Sequence, residues 1–186
     1  MRAVTTAPVP IARFTREEYL RLPESSPGFR FELLDGELVT MNDPLPRHQI
    51  AVMRLAAALL AWTDAAPGRG RALLSIDTDI GHDTILGPDL QWFADRRPLP
   101  PTDERPWPVG DLVIEVASPS TARYDARTKL ARYLRAGARE VWLVTTDPLG
   151  ARLVRPGGET ALDEDGTLRS PLLPGFALPL TSVLRS

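Results

Sequence analysis

The segment Asp111-Leu112-Val113-Ile114-Glu115-Val116-Ala117 constrains the fold more than any other part of this chain. A run this apolar, bounded by turn residues, is the pattern of a strand buried on both faces. Ser118-Pro119-Ser120-Thr121 breaks the run and offers helix N-cap residues. A helix is predicted from about residue 122 to 136, closed by Gly137 as a C-cap. Residues 140–146 then read as a second buried strand. Strand, helix, strand in that order is a βαβ-like unit. With strands and helices interleaved elsewhere, the class is α/β (α+β), a mixed central β-sheet flanked by helices.

The rest of the chain fits that class. Thr15-Arg16-Glu17-Glu18 is a capping-box pattern that opens a short helix through about Arg21. Residues 23–28 read as a turn. Residues 31–39 read as a hairpin around Asp35-Gly36, a dipeptide that favours tight turns. The first long helix is predicted from His48 to Trp62, with Ile50, Met53, Ala57 and Leu60, and also Val52, Leu55 and Leu59, at helical spacing. Residues 72–80 and 84–94 read as two extended segments, the second interrupted by Pro88, which suits an edge or bulge. The proline-rich stretch 96–110 reads as a loop, with Trp107 a candidate exposed contact. Ala151 to Val154 reads as a further strand, and residues 172–184 are expected to fold their Leu, Phe and Val side chains back onto the body. Residues 1–12 are expected to be a tail and 13–186 a single domain.

Composition removes several kinds of chemistry. The chain has no cysteine, which excludes disulfides, thiolate catalysis and Cys-based zinc sites. His48 and His82 have no zinc spacing, and no P-loop, G-x-G-x-x-G or G-x-S-x-G occurs. His82 reads as a surface turn residue; His48 reads equally as a cap or as a residue lining a site. No apolar run reaches membrane-spanning length and no signal peptide is apparent, so a cytoplasmic protein without a membrane partner is expected. The net charge of −2 argues against strong nonspecific binding to nucleic acid, which depends on Lys and Arg neutralising phosphates.

Two carboxylates and one lysine stand out. Glu115 alone interrupts the buried run, and a buried carboxylate costs several kcal/mol, as a rough figure, unless paired or metal-bound. Asp89 is embedded between Ile85-Leu86 and Leu90-Gln91-Trp92-Phe93. If the two strands are neighbours, two like charges face one spot, which raises a pKa or recruits a divalent cation; hard oxygens suit Mg²⁺ or Mn²⁺. Lys129 is the single lysine among 22 cationic residues, the others being arginine. An ammonium is a compact charge that a bulky guanidinium does not replace. Lys129 falls at the edge of the helix stripe Ala126, Leu130, Tyr133 and Leu134. The competing structural readings are a solvated Asp125–Lys129 pair at i,i+4 and a buried ion pair for Glu115.

The motifs Phe31-Glu32-Leu33-Leu34-Asp35-Gly36-Glu37-Leu38-Val39, His48, Gly87-Pro88-Asp89-Leu90 and residues 111–121 recur in order, followed by Asp125, Lys129, Tyr133, Gly137 and residues 140–144. Over roughly residues 14–180 the chain resembles the Uma2 family of restriction-endonuclease-like proteins, within the PD-(D/E)XK nuclease superfamily. The resemblance implies Asp89 and Glu115 as metal ligands, with the Val116 carbonyl and Glu32 adding to them. It implies Lys129 as the catalytic lysine, moved to the helix from the position two residues after the Glu, where this chain has Ala117. It further implies Mg²⁺- or Mn²⁺-dependent hydrolysis of DNA with 5′-phosphate ends. A non-catalytic nuclease-fold protein that binds nucleic acid or a protein partner is the alternative. A homodimer is expected, since symmetric dimers are the commonest oligomers.

Overall fold

The first helix, α1 (Arg16–Leu20), starts where its sequence dictates. The Thr15 hydroxyl accepts the Glu18 N–H at 3.2 Å and the Glu18 carboxylate accepts the Thr15 N–H at 2.7 Å, so two otherwise orphaned donors are satisfied. The hairpin β1 (Arg30–Leu34) and β2 (Glu37–Met41) follows, turning at Asp35 (φ 50°) and Gly36 (φ 80°). Two left-handed residues in succession match the twist of the flanking strands. The computed structural model describes residues 13–22, 30–41, 44–117, 125–160 and 162–185. The expected tail over 1–12, the turn at 23–28 and the cap residues 118–121 lie outside these.

The long helix α2 (Pro46–Asp64) begins two residues earlier than predicted, because Pro46 is suited to a first helical turn that needs no N–H from it. It buries Val52, Leu55, Leu59 and Trp62. The second expected stripe is not buried: Ile50, Met53 and Leu60 are 40%, 63% and 54% exposed. A helix lying on a sheet offers only one face to the core.

The two extended segments expected over 72–80 and 84–94 are each divided. The chain forms β3 (Arg71–Leu74), β4 (Thr78–Asp79), β5 (Ile85–Leu86) and β6 (Leu90–Phe93), with β3 and β6 in one sheet and β4 and β5 in another. Gly87-Pro88-Asp89 is where the chain passes between sheets, and Pro88 has no N–H to give to either ladder. Gly70 lets β3 lie close to β6, since a Cβ there would stand 2.0 Å from the Phe93 carbonyl oxygen. Next come β7 (Trp107–Pro108), β8 (Leu112–Ala117), α3 (Asp125–Arg135), β9 (Glu140–Thr146), β10 (Leu149–Arg155), β11 (Gly158–Thr160), β12 (Thr167–Leu168), β13 (Leu178–Pro179) and a 3₁₀ turn over Leu180–Leu184. Trp107 is 5% exposed, edge-on to Phe93, rather than an exposed contact.

The main sheet has the order β11-β10-β9-β8-β6-β3, with the β8–β9 pair parallel and α3 as its crossover. The second sheet runs β2-β1-β5-β4-β7. Along β8 the faces alternate: Leu112, Ile114 and Val116 join the core under α2, while Val113 and Ala117 join Leu130 and Tyr133 of α3 on the other side. Both faces of the strand are thus covered, as its composition required. Leu173, Phe176, Leu180 and Val183 of the C-terminal segment close the α2 side. Each fully buried Leu or Val in these clusters contributes about 1.5–3 kcal/mol.

Candidate active site

Strand β8 is buried at every position except Glu115, the one side chain with partial access. Strand β6 runs antiparallel beside it, with Leu90 opposite Ile114. The next rung would set Asp89 opposite Glu115, but the ladder stops there and Asp89 uses its side chain instead. Its Oδ2 accepts the Val116 N–H at 2.8 Å. The same oxygen lies 3.2 Å from His48 Nε2. Asp89 is held by main chain on one side and by α2 on the other.

Glu115 is held from the opposite face. The Tyr133 hydroxyl, fully buried on α3, donates to Glu115 Oε1 at 2.6 Å. Burial pushes the Glu115 carboxyl up to about 8; Lys129 pulls it down, Asp89 and Glu32 push it further up, and the Tyr133 hydrogen bond lowers it. The Tyr133 hydroxyl is pushed well above its usual value, first by burial and then by Glu115. Asp89, Glu32, Lys129 and Glu115 therefore lie within one electrostatic neighbourhood.

Lys129 is not on a solvated face. It is 6% exposed, and its ammonium pairs with Glu32 Oε2 at 2.6 Å. Glu32, 2% exposed on β1, accepts the Gly87 N–H on its other oxygen at 3.0 Å. One turn further along α3, Arg132 grips Asp35 of the hairpin turn through two bonds of 2.8 and 2.6 Å. Lys129 and Arg132 together moor the second sheet to α3. The side chain of Asp125, the partner in the competing i,i+4 reading of Lys129, lies outside the described residues.

The chain thus brings Glu32, Asp89, Glu115, Val116 and Lys129 into one place between the two sheets. It also brings His48, for which the sequence left a cap and a site-lining role equally open, and Tyr133, which the sequence placed on the apolar stripe of its helix. His48 lies one turn before Val52 on the buried side of α2 and reaches Asp89, in keeping with the site-lining reading. Among the described residues no three of His, Cys, Asp and Glu converge as a ready-made metal cage. Mg²⁺ does not require one, since it commonly takes one or two carboxylates and keeps several waters. Asp89 and Glu115 supply such a pair. Both oxygens of Glu32 are already engaged, so Glu32 would ligate only by releasing Lys129 or Gly87.

A family model named Uma2, described as "Putative restriction endonuclease", matches residues 16–181. The chain belongs to the Uma2 family. Among solved structures, this Uma2 member is similar to one described as a "putative nuclease belonging to DUF820 from Anabaena variabilis ATCC 29413". The TM-score is 0.78 at 22% sequence identity, over 92% of this chain and 97% of that one. That likeness shows the fold, the mixed sheet flanked by helices expected above. No curated protein matches the chain. The family description supports a nuclease-like role.

Proposed function

We propose that this chain is a Mg²⁺- or Mn²⁺-dependent endonuclease that hydrolyses DNA phosphodiester bonds. The observation that carries the reading is the placement of the only lysine, buried, ion-paired to Glu32 and acting on Glu115, which Asp89 also influences. Glu32, Asp89 and Glu115 lie in one neighbourhood, with the Lys129 ammonium paired to Glu32, so the donor set is hard and oxygen-rich. Such a set fits a divalent cation. Asp89, Glu115 and the Val116 carbonyl would hold it. A bound ion of this kind supplies Lewis acidity and a water of lowered pKa.

The residues of the chain do the rest. Val116 N–H fixes one oxygen of Asp89 and Tyr133 fixes one oxygen of Glu115, which leaves the second oxygen of each for the ion. Glu32 anchors the Lys129 ammonium on one side. The positive charge of this ammonium would orient the attacking water or stabilise negative charge developing at phosphorus, the kind of preorganised contact worth about 10²–10³ in rate. Weak intrinsic attraction to DNA follows from the net charge of −2, so a homodimer that doubles the phosphate contacts belongs to the proposal. So do a single domain over 13–186 and a cytoplasmic location; no described helix is long and apolar enough to cross a membrane.

Metal removal tests the reading. Plasmid DNA incubated with the protein is expected to be nicked or linearised with Mg²⁺ or Mn²⁺ and to stay intact with EDTA. Cleavage indifferent to EDTA contradicts metal dependence. Retention of DNA on the protein with no cleavage under any divalent ion favours the non-catalytic alternative.

A further inference from the structure

We infer that His48 is a positioning residue for Asp89, supplying through its Nε2–H the second of two bonds that aim this carboxylate into the site. The inference rests on the metal-site reading above and adds a residue to it.

His48 sits at the start of α2, four residues before Val52 and so on the same side of the helix as Val52, Leu55 and Leu59. Its side chain is 16% exposed, with Nε2 3.2 Å from Asp89 Oδ2. A bare ring nitrogen facing a carboxylate oxygen would be repelled, so the proton stands on Nε2 and Nε2 donates. The other ring nitrogen, Nδ1, is buried and finds no partner among the described residues. Buried polar atoms in folded proteins nearly always have one. An apolar side chain would fill this place in the stripe without orphaning a nitrogen. What the imidazole adds is the bond to Asp89.

That bond has a geometric consequence. A single hydrogen bond leaves a carboxylate free to swing about its χ angles. Asp89 Oδ2 receives two, from the Val116 N–H of β8 at 2.8 Å and from α2 through His48. Two donors on separate elements fix the plane of the group, and Oδ1 is the oxygen left for an incoming ion. Partners behind a metal-binding carboxylate typically matter about 10–100-fold in metal affinity.

The test is a calorimetric titration of Mn²⁺ into wild type, His48→Ala and His48→Gln, with thermal unfolding of each in EDTA. A Gln amide can set an N–H close to where Nε2 stands, whereas Ala cannot. The expected result is binding weakened about 10–100-fold in His48→Ala, restored to within about 3-fold in His48→Gln, with both variants melting close to wild type. Equal Mn²⁺ affinity in His48→Ala and wild type overturns the inference. So does a loss in both variants that simply follows a fall in melting temperature, which would mark His48 as structural. A wild type that binds no Mn²⁺ at all removes the metal-site reading itself, and this inference with it.

Discussion

Lys129→Met is expected to abolish cleavage and to cost about 3–5 kcal/mol of stability, the usual loss when one partner of a buried ion pair is removed. The partner left behind is Glu32, 2% exposed and previously 2.6 Å from the ammonium. In a chain of this size the loss corresponds to a fall in melting temperature of roughly 6–20 °C. Inactivity of the single variant would therefore say little about chemistry. Glu32→Gln/Lys129→Met removes the stranded charge while keeping an acceptor for the Gly87 N–H. This double variant is expected to recover most of the stability and to remain inactive, with cleavage down about 10²–10³-fold or more. Urea unfolding and plasmid cleavage on the same preparations read both effects. A double variant that cuts like wild type would show that Lys129 serves only as the counter-ion of Glu32.

The second large effect is expected at a carboxylate with no part in the site. Glu140, fully buried at the start of β9, accepts from Trp142 Nε1 at 2.6 Å, Ser170 Oγ at 2.6 Å and Arg155 Nε at 3.1 Å. Glu140→Ala strands the indole N–H and the hydroxyl inside the core, at about 1–3 kcal/mol each, and releases Arg155 toward water. A total loss of about 3–5 kcal/mol is expected, with Mn²⁺ affinity unchanged in whatever fraction stays folded. Glu115→Gln should behave in the opposite way. The folded state raises the Glu115 carboxyl from 4.5 to about 8, so it holds the proton more tightly than the unfolded chain does. Stability of the metal-free wild type then falls as pH rises through that window, and the penalty is complete above it. Glu115→Gln, neutral at every pH, should flatten that decline and be the more stable protein at about pH 8.5. Urea unfolding in EDTA at about pH 6 and about pH 8.5 decides it; a Glu115→Gln protein less stable than wild type at the higher pH contradicts the assignment.

These two glutamates show what the sequence could carry. Glu115 was conspicuous because it broke an apolar run. Glu140 opens its strand beside Arg139, and nothing in its neighbourhood announces a buried network closed by Ser170, 30 residues away. Local patterns were readable where the chain decides them locally: the capping box at Thr15, the turn at Asp35-Gly36, the strand, helix and strand of β8, α3 and β9. Sheet membership was not, because a run such as 84–94 has the same composition whether it stays in one ladder or changes sheets at Pro88. The two apolar stripes of α2 were alike in sequence, and only docking onto the sheet separates Val52, Leu55 and Leu59 from the exposed Ile50, Met53 and Leu60. Lys129 was visible through its rarity. Its partner Glu32 comes from the other sheet, and no spacing rule connects residues 97 apart.

The measurement closest to the central claim is a calorimetric titration of Mn²⁺ into wild type and into Asp89→Asn, in the absence of DNA. It needs no knowledge of the substrate. An amide keeps an oxygen for the Val116 N–H but loses the charge that a divalent ion requires. Saturable binding in wild type that disappears in Asp89→Asn is the predicted result. Binding of equal strength in both proteins, or in neither, would contradict the account of Asp89 and Glu115 as the acids that hold a catalytic metal.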